Sequence, residues 1–213
     1  MFFLSAPAGF TYCRYDTKLA VFFCSFNAFS MNTQDLISRL SAHCSLDSIE
    51  EQHRLDTISF VQRHPSTWWR RSTLQGHVTA SAWVRNRTNT YALLLHHAQL
   101  DRWLQPGGHL DETDTSPAHA ALREALEESG IAQLGLADQT LIDVDVHPIP
   151  ARNKGGIIEP AHLHYDLRYM VDAGQHDVVL SDESLGFQWV SIAEVARTAE
   201  PSIARLARKS LSR

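Results

Sequence analysis

From residue 32 to residue 64, apolar positions recur at one-turn spacing, first as Leu36, Ile37 and Leu40, then as Ile49, His53, Leu55, Phe60 and Val61 ahead of Pro65. This spacing predicts two helices in a hairpin that pack against whatever follows. The period then drops to two. Val78, Ala80, Ala82 and Val84 alternate with Thr79, Ser81, Trp83 and Arg85, the polar stretch RNRTNT follows, and Tyr91 to His97 is a compact apolar run. Two strands joined by a turn are predicted. Trp103 to Gln105 is a short strand before Pro106, Gly107 and Gly108, where the chain turns sharply. Ile142, Val144 and Val146 form one further alternating strand, and Leu163, Tyr165, Leu167, Tyr169 and Val171 another, each with a polar second face; ARNKGG between them reads as a loop. Phe187 to Val190 is a last strand. Ser191 to Ala199 is a helix capped by Ser191, and Ser202 to Leu211 a basic one with Arg205, Arg208 and Lys209 on a solvated face.

Composition narrows what such a chain can do. With 213 residues, 44% of them apolar and 20% charged, it has the material for one ordinary core. The 24 acidic side chains exceed the 19 basic ones, for a formal charge of −5, which excludes a broad electrostatic footprint for a nucleic acid polymer. A polyanionic substrate then needs a local device. A metal ion is one, and 12 histidines and clustered glutamates supply ligands for it. The cysteines, Cys13, Cys24 and Cys44, have neither zinc-ribbon nor redox spacing, so the default compartment is the reducing cytoplasm. The apolar run from Leu19 to Phe29, behind Arg14 and Lys18, falls short of the ~20 residues that span a bilayer and matches a secretory signal only loosely. The expected organisation is a poorly ordered extension over 1–30 with Met31 as the natural start, a helical segment over 31–68 packing on the main domain, and that domain over 69–213, with no membrane partner.

The segment PGGHLDETDTSPAHAALREALEESGI, residues 106–131, carries the chemistry. Ser116 followed by Pro117 is a helix start and Gly130 a natural stop. Between them Ala118, Ala121, Leu122, Ala125 and Leu126 share one side, while Glu124, Glu127 and Glu128 gather opposite them within about a third of a turn. Like charges at these spacings repel by a few tenths of a kcal/mol each, and Glu127 and Glu128 meet the negative end of the helix dipole. A solvated acidic face and a hard divalent cation explain the cluster equally well. The glycine turn favours the cation, because Gly107 and Gly108 let backbone approach a ligand closely just before the acidic helix.

Gly108, a short loop, and then Arg123, Glu124, Glu127, Glu128, Gly130 and Ile131 resemble the signature of the Nudix hydrolases over a domain of roughly residues 75 to 200. The spacing from Arg123 to Ile131 is fully kept. Three features depart: Asp114 stands where the signature has its first glutamate, eight residues instead of seven separate it from Arg123, and Ala125 is smaller than the usual aliphatic residue. Either Glu112 or Asp114 can therefore play the part of that acid. The resemblance implies an α/β fold, a Nudix-like α/β/α sandwich with a mixed β-sheet, preceded here by the N-terminal helical hairpin. It implies a metal-dependent hydrolase that cleaves the diphosphate linkage of a nucleoside diphosphate derivative by water attack at phosphorus. Glu124, Glu127 and Glu128 would hold Mg²⁺ or Mn²⁺, with the Gly108 carbonyl as a further ligand and Arg123 orienting the glutamates. Glu127 or Glu128 would be the general base, with Glu183 in SDES as a loop alternative. The resemblance is also compatible with a homodimer.

Around this centre, Arg152, Lys154 and Arg168 are expected phosphate contacts. His162 and His164 share a strand face with His147 nearby, and His164 is expected to touch substrate rather than zinc. The partner is thus a small phosphorylated molecule. A non-catalytic nucleotide-binding module on the same fold is the competing reading, and it predicts loss of carboxylates that this chain retains.

Overall fold

The computed structural model describes residues 31–154, 157–174, 177–182 and 184–213. The expected extension over 1–30, Glu183 and the side chain of Lys154 lie outside the described residues. The hairpin of helices comes first, α1 (Thr33–Ala42) and α2 (Ser48–Arg63), each opened by a capping side chain: Asn32 accepts from the Asp35 amide at 3.0 Å and Asp47 from the Glu50 amide at 2.8 Å. The strands β1 (Gly76–Asn86), β2 (Tyr91–His97), β3 (Arg102–Leu104) and β4 (Gly107–His109) follow, then helix α3 (Pro117–Ser129). After it come β5 (Leu134–Ile149), β6 (Arg152–Lys154), β7 (Ile157–Glu159), β8 (His162–Ala173) and β9 (Ser184–Ser191), and the chain closes with α4 (Ile192–Thr198) and α5 (Pro201–Leu211).

The main sheet runs β3-β2-β1-β8-β5, with β4 also paired to β1 and β9 to β2. Strands β1 and β8 are parallel, from Gly76 opposite Leu163 to Asn86 opposite Ala173, and the other pairings are antiparallel, so the sheet is mixed. Its two faces are covered by different helices. On one, Val78, Ala80, Leu167 and Tyr169 meet Leu36, Leu40, Phe60 and the alanines Ala118, Ala121 and Ala125 of α3. On the other, Trp83, Leu94, Ile142 and Met170 meet Ile192, Val195, Ile203 and Leu206. Alanines let α3 lie close to β1, which fixes the height of its acidic face above the strand ends.

Four expectations are corrected. ARNKGG is not simply a loop: β6 and β7 form a separate antiparallel pair with Arg152 opposite Glu159. Helix α2 does not bury Ile49 and Leu55, which are 56% and 46% exposed; it buries Glu50, Thr57, Phe60 and Val61, a stripe at helical spacing made tolerable by the ion partners of Glu50. Leu126 of α3 is likewise exposed. Helix α5 does not present Arg205 to solvent: that side chain is buried against Asp143 and Asp145, and Lys209 pairs with Glu50. Among the described residues no helix is long and apolar enough to cross a membrane.

Candidate active site

Helix α3 starts and stops as its sequence dictates. The Ser116 hydroxyl accepts from the His119 amide at 3.2 Å, Pro117 takes the first turn, and Gly130 ends the helix with φ at 61°, a left-handed conformation that glycine adopts without strain. The arginine at its centre organises the acids. Arg123 forks onto Asp114, Nε to Oδ1 at 3.1 Å and Nη2 to Oδ2 at 2.9 Å, and Nη2 also donates to the His109 carbonyl at 2.9 Å. Its third nitrogen, Nη1, donates to Glu124 at 3.0 Å and to Glu127 at 3.1 Å. One guanidinium thus ties the turn, the helix and two glutamates together.

Of the two acids left open above, Asp114 is the one on Arg123. It is buried, and besides Arg123 it accepts from the Asp111 amide at 2.8 Å and from His119 at 3.1 Å. Burial opposes its charge, but the Arg123 hydrogen bonds and the Asp111 amide outweigh that and hold the carboxyl below the usual range. Glu112 is exposed and pairs outward with Arg70 at 3.0 Å.

Strand β4 brings the glycines beneath the acids. Gly108 pairs with Ala80 of β1, and a Cβ placed on it would come 2.7 Å from the Glu124 carboxylate carbon. Nothing larger than glycine fits there without moving that carboxylate. Gly107, with φ at 158°, has Ser81 Cα 2.6 Å from where a Cβ would stand. Glu127, on the outer side, has a 58% exposed side chain, and Glu128 is half-buried. The loop after β8 lies over this end of the helix: the Val179 amide donates to the Ser129 carbonyl at 2.8 Å, and the Ser181 amide reaches the Glu128 carbonyl at 3.4 Å.

The NUDIX domain family model matches residues 56–210. The chain belongs to the Nudix family. No curated protein matches it. Among solved structures it is similar to an Ap4A hydrolase of C. elegans in a binary complex, at 20% identity over 63% of this chain and 95% of that one, with a TM-score of 0.47. It is similar to the Nudix hydrolase RenU of M. smegmatis at 23% identity, over 64% and 85% of the two chains, with a TM-score of 0.47. A UDP-X diphosphatase is 15% identical over 86% of this chain and 94% of that one, with a TM-score of 0.46.

The remaining expected residues fall in three places around the Nudix helix. Arg168 is not brought to the glutamates. It is buried on the opposite sheet face, donating to Asp166 at 2.9 Å, Asp143 at 3.1 Å and the Ser202 hydroxyl at 2.8 Å, and lying 3.3 Å from Asp145. With three carboxylates around it, its charge is taken up internally and a phosphate cannot reach it. Arg152 sits at the β6–β7 pair, bound to Glu159 at 2.5 Å and to the Gln99 side chain at 3.2 Å. His164 joins His77 and His109, two residues that sequence reasoning missed. Desolvation pushes His77 down to about 4, His109 to about 3 and His164 to about 2, so all three rings are neutral at pH 7.

Proposed function

We propose that this Nudix protein hydrolyses the diphosphate linkage of a nucleoside diphosphate derivative, with Mg²⁺ or Mn²⁺ held by Glu124, Glu127, Glu128 and the Gly108 carbonyl. The observation that carries the reading is the seat of the Glu124 carboxylate on Gly108: a carboxylate and a backbone turn meet where only glycine fits, beside two more carboxylates, and this oxygen-rich donor set suits a hard cation. When bound, such an ion screens the phosphate oxygens and acidifies water. The protein's own contribution is positional. Arg123 holds Glu124 and Glu127 at one height, with Asp114 and the His109 carbonyl taking the remaining guanidinium bonds. Glu127, exposed at the rim, is the proton acceptor for the attacking water, with Glu128 and Glu183 as the alternatives. Arg152, at the β6–β7 pair, is a phosphate contact once it exchanges Glu159 for substrate. A small nucleotide derivative in the cytoplasm is the setting this implies.

The test is release of phosphate or pyrophosphate across nucleotide sugars, dinucleoside polyphosphates, nucleoside triphosphates and coenzymes, with Mg²⁺ or Mn²⁺ and with chelator. Turnover is expected only with metal, and Glu128→Gln should lower it by about 10³-fold with an unchanged circular dichroism spectrum. Full activity in chelator, or an unaltered rate in the variant, overturns the reading; no turnover of any substrate favours a binding module.

A further inference from the structure

Four histidines converge at the end of the sheet where β1 and β8 begin and β4 ends. Parallel register puts His77 directly opposite His164, and β4 places His109 opposite Thr79, two residues along β1. Ligand-capable nitrogens of His77, His109 and His164 all lie within 4.8 Å of one another. His162 stands beside them, its Nε2 3.3 Å from that of His164. Imidazoles can pack together and satisfy one another's nitrogens, as His162 and His164 do, but two of these four rings leave buried polar atoms unpaired. His77 is 1% exposed with neither ring nitrogen hydrogen-bonded, and His109 Nε2 is also buried without a partner. Each such atom costs about 1–3 kcal/mol in desolvation, and a bound ion removes that penalty.

We propose that His77, His109, His162 and His164 form a site for a divalent transition ion of the zinc class, separate from the carboxylates of α3. The donor set selects the metal: neutral imidazoles suit zinc and its late first-row neighbours, whereas Mg²⁺ takes oxygen. The spacing agrees. Bonds of about 2.0–2.1 Å in a tetrahedron put neighbouring nitrogens about 3.4 Å apart, the separation His162 and His164 already have. Histidine ligands commonly donate their second nitrogen to a carbonyl, and His162 Nδ1 donates to the Pro160 carbonyl at 2.9 Å, which leaves its Nε2 lone pair facing the cluster. The ion would also stiffen the catalytic turn, because His109 follows Gly108 and its own carbonyl accepts from Arg123.

The site rests on histidines alone and not on the hydrolase reading, so the two can fail independently. The experiment uses the full chain stripped with chelator, titrated with Zn²⁺ by calorimetry and with Co²⁺ by visible absorption, in excess Mg²⁺. Expected are about one tight ion per chain and the intense d–d bands of nitrogen-ligated Co²⁺, both retained in Glu128→Gln and weakened at least roughly 10-fold in His164→Asn. His109→Gln is the second variant, and circular dichroism on both reports folding. Absence of tight binding by the unmutated chain overturns the proposal whatever the variants do, as does binding that Glu128→Gln abolishes and the histidine variants keep.

Discussion

Two groups of acids sit on this sheet, each organised by arginine, and they end in opposite states. On α3, the Arg123 guanidinium is shared among Asp114, Glu124 and Glu127, and the outermost glutamate faces solvent. Across the sheet, Asp143, Asp145 and Asp166 surround two arginines, Arg168 and Arg205, all five of them buried, with Lys209 3.7 Å from Asp143. Thr79 and Ser81 donate to Asp166 as well, at 3.1 Å and 2.8 Å. The second group is closed: its cations are built in, and it holds β5, β8 and α5 together. The first has acids at an accessible rim with one guanidinium divided between them, the condition under which a cation and an anionic substrate can enter. Acid–arginine clusters are thus distinguished by how many cations the chain itself commits to them.

The largest effect expected from breaking this contrast is on the closed side. Arg168→Met leaves three buried carboxylates short of a cation and should cost about 3–5 kcal/mol, lowering the thermal midpoint by roughly 10 °C in calorimetry. A midpoint within a degree or two of the unmutated chain would mean that the network is not structural. On the open side, Gly108→Ala should displace the Glu124 carboxylate and lower kcat/KM by about 10²-fold while the protein remains folded. Unchanged kinetics in that variant would remove Gly108 from the site.

The pH dependence of stability gives an intermediate effect. Burial opposes the charge of Glu50, but hydrogen bonds from His43, the Leu46 amide and Lys209 outweigh it and take the carboxyl from its ordinary 4.5 down to about 2. A depressed folded-state value means the unfolded chain binds the proton first as pH falls. The contribution is therefore complete above about pH 5 and lost progressively towards pH 2, and Glu50→Gln should flatten the urea midpoint across that window. A parallel acid limb in wild type and variant would refute the assignment.

The smallest contrast separates the two acids of the turn. Asp114→Asn weakens the fork on Arg123 and should cost about 1.5–3 kcal/mol, whereas Glu112→Gln, which touches only exposed Arg70, should stay within about 1 kcal/mol of zero by denaturant unfolding. Equal effects would return the choice between them to an open question.

How much of this was written locally in the chain depends on the range of the interactions. Helix α3, from Ser116 and Pro117 through the alanines to Gly130, is set by contacts a few residues apart, and its carboxylates follow from helical spacing. The alternation on β8 likewise brought out His162 and His164. The pattern assigns Arg168 to a substrate phosphate and Arg205 to a solvated helix face, because charge is usually exposed. Asp166 is a local partner, two residues before Arg168 on β8, but Asp143 and Asp145 lie on another strand, Asp143 being 25 residues from Arg168 and 62 from Arg205, and no local pattern announces that pairing. His77 and His109 escaped notice for the same reason: each is a lone histidine in its own strand, and only the β1–β8 and β1–β4 registers bring them to His164. Ile49 and Leu55 misled because apolar spacing alone cannot foresee that a glutamate, given partners from α5, will take the buried stripe.

The position of Arg205 on the last helix has a consequence for biosynthesis. Strands β5 and β8 leave the ribosome with Asp143, Asp145 and Asp166 already in place, yet the guanidinium that completes their set arrives only once α5 has been made. A nascent polypeptide halted before that point carries a sheet whose inner acids repel one another, so the sheet should set firmly only after translation has passed α5.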